Sequence, residues 1–188
     1  YNKNADNFAK TTINVDFYET QNRFSTLLPE HGYILDFGCG SGRDTKYFLE
    51  QGFYVDATDG SEEMCHIASN YTGIQVRRLL FEELDENKKY DGIWACSSIL
   101  HLPKNELKAV FMKMFKALKE DGIIYTSFKY GDFEGERNGR YFTDFTEKTF
   151  EEFVGEIDNL QLKEEWITGD VRPGRGEEKW LNVILQKN

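Results

Sequence analysis

Residues Ile34 to Arg43 read Ile-Leu-Asp-Phe-Gly-Cys-Gly-Ser-Gly-Arg, and no other stretch limits so sharply what this chain can fold into. An apolar run enters alternating glycines, and Asp44 to Gln51, a segment suited to a helix, follows at once. That order is strand, tight turn, helix, the βα unit of a parallel sheet. Gly38, Gly40 and Gly42 lack a Cβ, so the backbone there is free to turn sharply and to lie against a bound molecule. The expectation is a ligand held across the turn.

Spacing narrows the ligand. A dinucleotide fingerprint wants a third glycine at position 43, where this chain has Arg43. No Lys-Ser or Lys-Thr closes the run, so the clamp of a nucleoside-triphosphate loop is absent. Asp36, two residues before the first glycine, is awkward beside pyrophosphate and well suited to an ammonium or sulfonium group. A second landmark is Phe53 to Asp59, an apolar-rich strand ending in an acid roughly 20 residues after the first glycine, the place where ribose hydroxyls are held in such sheets. Asp59 reads either as that ribose ligand or as the N-cap of a helix from Ser61 to about Asn70.

These segments resemble a class I S-adenosylmethionine-dependent methyltransferase over nearly the whole length, and within that family the small enzymes grouped with tellurite-resistance methyltransferases. Ile34 to Gly42 resembles the first motif, Val55 to Ser61 the second, Tyr90 to Leu102 the fourth strand and its turn, and Lys119 to Gly122 the turn before the fifth strand, with Asp121 in place of its first glycine. The resemblance implies S-adenosylmethionine as cofactor. Its site would comprise Asp36, Gly38, Cys39, Gly40, Gly42, Asp59, Gly60 and Ser61, with Leu80 and Phe81 flanking adenine and Cys96 lining the cleft. The acid often found at the adenine edge is missing at Leu80, which leaves Glu82, Glu83 or backbone for that bond. The implied fold is an α/β, Rossmann-like, doubly wound seven-stranded sheet, mostly parallel, with a C-terminal antiparallel hairpin.

Periodicity supplies the remaining elements. Asp6 to Leu28 spaces its apolar residues as one or two helices over the cleft, so residues 1–30 are expected to form a lid and 31–188 the core of one domain. Strands are expected at Tyr33–Phe37, Phe53–Thr58, Ile74–Arg77, Gly92–Cys96 and Ile123–Phe128, and a hairpin at Leu160–Thr168 with Lys179–Gln186. A helix over Asn105–Lys119 carries a core stripe with Met112 on its outer side, and Glu147–Ile157 forms another. Glu82 to Lys89 reads as a short connection.

With 33 acids against 23 Lys plus Arg the net charge is -10, which disfavours nucleic acid and anionic bilayers as partners. There is no apolar run of about 20 residues and no leader pattern, which points to a cytoplasmic protein. Cys39, Cys65 and Cys96 form no CxxC pair, so neither a metal site nor a disulfide framework is expected; Cys39 and Cys96 read as cleft linings or as a nearby thiol pair.

The acceptor should be met by the lid, the turn after the fourth strand, Lys129 to Phe145 and Asp170 to Glu178, because ligands lie outside the carboxyl ends of strands. Arg140, Tyr141 and Arg172 are candidate substrate contacts, the arginines for an anionic group or else paired with neighbouring acids. His101 and Tyr130 are candidate catalytic residues: His101 as a general base or a packed residue at a helix start, Tyr130 as substrate wall or ordinary packing. The expected reaction is an in-line displacement onto a small-molecule acceptor, governed by alignment. A non-catalytic cofactor-binding module, an aminopropyl transferase, and methylation of tRNA or another macromolecule stay open as alternatives.

Overall fold

A computed structural model describes residues 2–188; Tyr1, where the expected lid begins, lies outside the described residues. Two helices, α1 (Asn2–Thr12) and α2 (Tyr18–Ser25), precede β1 (Tyr33–Phe37), α3 (Arg43–Glu50), β2 (Tyr54–Asp59), α4 (Glu62–Thr72), β3 (Arg77–Arg78) and β4 (Tyr90–Ala95). Then come α5 (Lys104–Ala117), β5 (Leu118–Lys129), β6 (Glu134–Arg137), β7 (Arg140–Thr143), α6 (Glu147–Val154), β8 (Leu160–Gly169) and β9 (Lys179–Lys187). Single 3-10 turns occupy Phe81–Glu83 and Ile99–His101.

Seven strands form one sheet in the order β3-β2-β1-β4-β5-β9-β8. β1 to β5 run parallel, and β9 lies antiparallel between β5 and β8. The order reverses between β1 and β4, the switch point beside which such sheets hold ligands. β1 reads as a continuous apolar run because both of its faces are covered. Leu35 and Phe37 join Ile93, Ile124, Phe111 and Phe150 on one side; Ile34 joins Trp94, Tyr125, Phe24 and Phe48 on the other. Each such fully buried side chain stabilises the fold by about 1.5–3 kcal/mol.

The α5 stripe is core as expected: Leu107, Val110, Phe111 and Met114 are buried, while Met112 is exposed. The expected helix overruns by two residues, since Leu118 and Lys119 already belong to β5. Asp121, standing where the family has its first glycine, has φ of 62°. It thus adopts the left-handed conformation that glycine favours and that Asp tolerates better than most residues.

The third strand departs from expectation. Only Arg77 and Arg78 pair with β2, and Ile74 to Val76 do not. The amide of Val76 donates instead to Ser69 Oγ at 2.9 Å, and that of Ile74 to Thr72 Oγ1 at 3.4 Å, so α4 takes the bonds a longer strand would have made. Val76 is still buried, against Ala57, Cys65 and Ala68. Its apolar character serves packing under α4.

The antiparallel ribbon β6–β7 was not anticipated from sequence. Its turn is Asn138-Gly139, with φ of 51° and 77°. Asn-Gly between extended segments is a strong hairpin signal, because both residues accept the positive φ that a two-residue turn requires.

Candidate active site

A cleft of about 310 Å³ opens at the carboxyl ends of β1, β4 and β5, under α1 and the segment joining it to α2. Asp36, Gly38, Cys39, Gly40, Arg43 and Asp44 line one end, and His101, Ser127, Lys129, Arg140, Arg172 and Asn182 are among the residues of the other. Phe8, Thr12, Val15 and Phe17 cover it. Thr12 Oγ1 lies 3.1 Å from Ser41 Oγ, which ties the covering segment to the glycine turn.

The three glycines divide their work. A Cβ at Gly38 would lie 2.5 Å from the Cβ of Ser98, and one at Gly42 would lie 2.7 Å from Thr72 Cγ2, so both positions are glycine for packing. A Cβ at Gly40 would come no closer than 3.5 Å to Phe8 Cε1, and Gly40 lines the cleft. Here the absent side chain leaves room for a ligand.

The Gly40 amide donates to Asp59 Oδ2 at 2.9 Å, and the Ser61 amide to Asp59 Oδ1 at 3.0 Å. Asp59 is therefore oriented at the end of β2 beside the glycine turn. The cap of α4 is Ser61, whose Oγ accepts from the Met64 amide, so Asp59 is not the N-cap. Leu80 Cδ2 approaches Gly60, and Phe81 packs edge-on against Phe37 at 4.9 Å between centroids. Gly42, Asp59, Gly60, Ser61, Leu80 and Phe81 lie outside the cleft lining itself, along its flank. Glu83, one of the adenine-edge alternatives, is occupied: its Oε2 accepts from the Leu80 amide at 2.7 Å.

Two buried acids sit side by side behind the turn. Asp36 accepts from Thr45 Oγ1 at 2.5 Å; burial and then the Asp44 carboxylate push its pKa well above the carboxylate range. Burial also opposes ionisation of Asp44, but Arg43, Trp94 and Gln21 overcome it and hold that carboxyl low. Arg43 donates from Nε at 2.8 Å and Nη2 at 3.0 Å, Trp94 Nε1 at 2.9 Å and Gln21 Nε2 at 2.7 Å. Arg43, in the place of a dinucleotide-fold glycine, also lies 4.5 Å over the Phe17 ring. None of these partners was assigned from sequence, because they come from α2, α3 and β4 and meet only in the fold.

Cys39 and Cys96 both line the cleft as free thiols, and burial pushes both up, so they stay protonated. No group of three His, Cys, Asp or Glu suited to a metal occurs among the described residues.

At the other end, His101 and Arg140 meet in the lining. Tyr141 contributes its backbone carbonyl to His101, and its hydroxyl turns away to Glu134 at 3.1 Å. Tyr130 stands outside the lining, with its hydroxyl bonded to Glu147 Oε2 at 2.8 Å. Arg172 lines the cleft, yet its Nε donates to Asp170 at 2.9 Å and its guanidinium is engaged there. Asp170 is held near the bottom of its range, at about 2: burial opposes ionisation and the Arg172 hydrogen bonds overcome it. Arg137 pairs with Asp144 at 2.7 Å, and Lys129 with Glu178 at 2.7 Å. Arg140 makes no ion pair among the described residues.

Residues 34–122 match the family model described as "Methyltransferase domain". The Bacillus subtilis protein "Putative methyltransferase YqeM" is 34% identical over 116 residues, 56% of this chain and 47% of that protein. The chain spans about half the length, or less, of the first two curated relatives it matches. Among solved structures, the Burkholderia thailandensis 1,6-didemethyltoxoflavin-N1-methyltransferase, crystallised with 1,6-didemethyltoxoflavin and S-adenosylhomocysteine, superposes with a TM-score of 0.79 at 24% identity, covering 100% of this chain and 84% of that one. A TehB-like methyltransferase from Corynebacterium glutamicum does so at 0.71 and 19% identity, covering 100% of both chains.

Proposed function

We propose that this chain, whose residues 34–122 match a methyltransferase-domain model, is a class I S-adenosylmethionine-dependent methyltransferase that transfers a methyl group to a small-molecule acceptor by in-line displacement, with residues 1–188 acting as one domain and 1–30 as its lid. The observation that carries this reading is the continuity of the cleft: Asp36 and Gly40 at one end and His101 with Arg140 at the other line a single cavity. The residues fit the cofactor. Asp59 stands at the end of β2 beside the glycine turn, where it would meet a ribose, Gly40 leaves space for the ligand, and Asp36 is a buried acid pushed up by burial and the Asp44 carboxylate, so a cation beside it would favour its ionised form. When bound, S-adenosylmethionine supplies a methyl group already activated by sulfonium charge. The chain's part is then to align the acceptor and exclude water, a positioning contribution of up to several kcal/mol. Phe8, Val15 and Phe17 supply the cover for that exclusion.

A small acceptor is supported by the size of the cleft and by its charges. Of the basic residues lining it, Arg43, Lys129, Arg172 and Arg175 face acidic partners within 4 Å, which leaves Arg140 in place of a basic track for a polyanion. The Burkholderia neighbour, which binds a small heterocycle beside S-adenosylhomocysteine, agrees with this reading. No helix of the described residues is long and apolar enough to cross a membrane.

Two outcomes follow. Binding a cation beside Asp36 draws its pKa back down, so the complex releases a proton at any pH between the ordinary carboxylate value of about 4 and the raised one. Affinity for S-adenosylmethionine rises with pH through that window, and Asp36→Asn flattens the rise. In the unliganded chain the sign is the reverse: Asp36 favours the fold at low pH and costs stability as the pH climbs through the same window. Calorimetry in buffers of different ionisation enthalpy measures the proton; no release at pH 7 would count against Asp36 as the cation's partner.

Arg140→Ala should lower kcat/KM for the acceptor about 10-fold, because a cation lining the acceptor end of the cleft is lost. Steady-state kinetics check this, and an unchanged kcat/KM removes Arg140 from the acceptor site.

A further inference from the structure

The ribbon β6–β7 determines what His101 can do. His101 Nδ1 lies 2.8 Å from the carbonyl oxygen of Tyr141. A carbonyl only accepts, so Nδ1 carries the proton and Nε2 keeps its lone pair. The edge of Phe142 packs on the imidazole at 4.7 Å between centroids and 70° between planes, which holds the ring. Thr143 Oγ1 donates to the Leu102 carbonyl at 2.7 Å and fastens the ribbon to the turn that carries His101. The residue before Tyr141 is Arg140, a cleft-lining cation without an ion pair among the described residues. One short ribbon thus presents a neutral imidazole and a guanidinium to the same cavity.

Resting on the methyl-transfer reading of that cavity, we propose that its acceptor is an uncharged heteroatom acid, a phenol or a cyclic imide N–H, whose proton passes to His101 Nε2 while Arg140 holds the anionic conjugate base. The X–H bond leaves its electron pair on X, the new X–C bond forms to the donor's methyl carbon, and the C–S pair returns to sulfur. The proton on Nε2 then goes to water. Charges facing the ring are Arg140 from β7 and Lys129 from β5, the latter held by Glu178; Asp170 and Arg172 neutralise each other across the cleft. Burial, with Arg140 and Lys129 adding to it, keeps His101 below its ordinary pKa despite the Tyr141 bond. These two cations repel an alkylammonium. An acid with an anionic conjugate base gains from both.

The test has two parts. Nitrogen-15 NMR of the unliganded chain should show His101 as the Nδ1–H tautomer. With S-adenosylmethionine and a panel of phenols and cyclic imides beside primary amines of matched size, mass spectrometry should find methylated phenols or imides and no methylated amine. His101→Gln should lower kcat by about 100-fold and abolish the acidic limb of its pH profile, with S-adenosylhomocysteine affinity unchanged by calorimetry. The Nε2–H tautomer, methylation of amines or of no panel member, or an undiminished kcat in His101→Gln each overturns the proposal. Absence of S-adenosylhomocysteine binding by the intact chain is a separate result and strikes the cofactor reading instead.

Discussion

Asp44→Ala is expected to lower the free energy of unfolding by about 3–5 kcal/mol, the cost of removing one member of a buried ion pair. The carboxylate is 7% exposed and takes hydrogen bonds from Arg43, Trp94 and Gln21, which lie on three different elements. Removing it leaves the largely buried Arg43 guanidinium beside Phe17 without its counter-ion, and leaves the Trp94 indole N–H and Gln21 amide without that acceptor. α2 is docked to α3 through this group, so the loss should spread to the cover over the cleft. Chemical denaturation measures it. Asp44→Asn, which keeps an acceptor oxygen without the charge, should fall between wild type and Ala. A loss below about 1 kcal/mol in Asp44→Ala would mean that water or relaxation replaces the network.

Asp59→Ala should weaken binding of S-adenosylmethionine and of S-adenosylhomocysteine by about 1.5–3 kcal/mol, roughly 10- to 150-fold, the value of hydrogen bonds to a charged group. The mutation acts at two places. It removes the acceptor intended for ribose, and it releases the Gly40 and Ser61 amides that Asp59 orders. Asp59→Asn separates them, since the neutral amide retains an acceptor for one backbone N–H while losing the charge-assisted part. Titration calorimetry on both variants decides, with circular dichroism to show that α4, capped by Ser61 and not by Asp59, persists. Equal cofactor affinity in wild type and Asp59→Ala would remove Asp59 from the site.

Much of the architecture was legible in the sequence because its requirements are local. β1 lies at Tyr33–Phe37 as expected, since five apolar or inward-facing residues followed by Gly38 leave little freedom of register. Met112 faces out and Leu107, Val110, Phe111 and Met114 face in, because helical period alone assigns faces. The Asn138-Gly139 signal is equally local, and within the Lys129 to Phe145 segment it closes the ribbon β6–β7. Arg140 lines the cleft from the second strand of that ribbon.

What the sequence by itself determined is the βα turn, the order of elements and hence the fold, along with the Asp36 and Asp59 positions at the ends of the first two strands. Each of these depends on residues a few positions apart, where backbone sterics and period constrain the chain directly. Only the tertiary structure decided which charges are spoken for. Asp44 finds Trp94 from 50 positions away, and His101 finds the Tyr141 carbonyl from 40. Likewise Arg137, Arg172 and Lys129 are paired, while Arg140 makes no ion pair among the described residues. A hydrogen bond or ion pair is set by distances of a few ångströms, and those distances exist only after distant segments have been packed together.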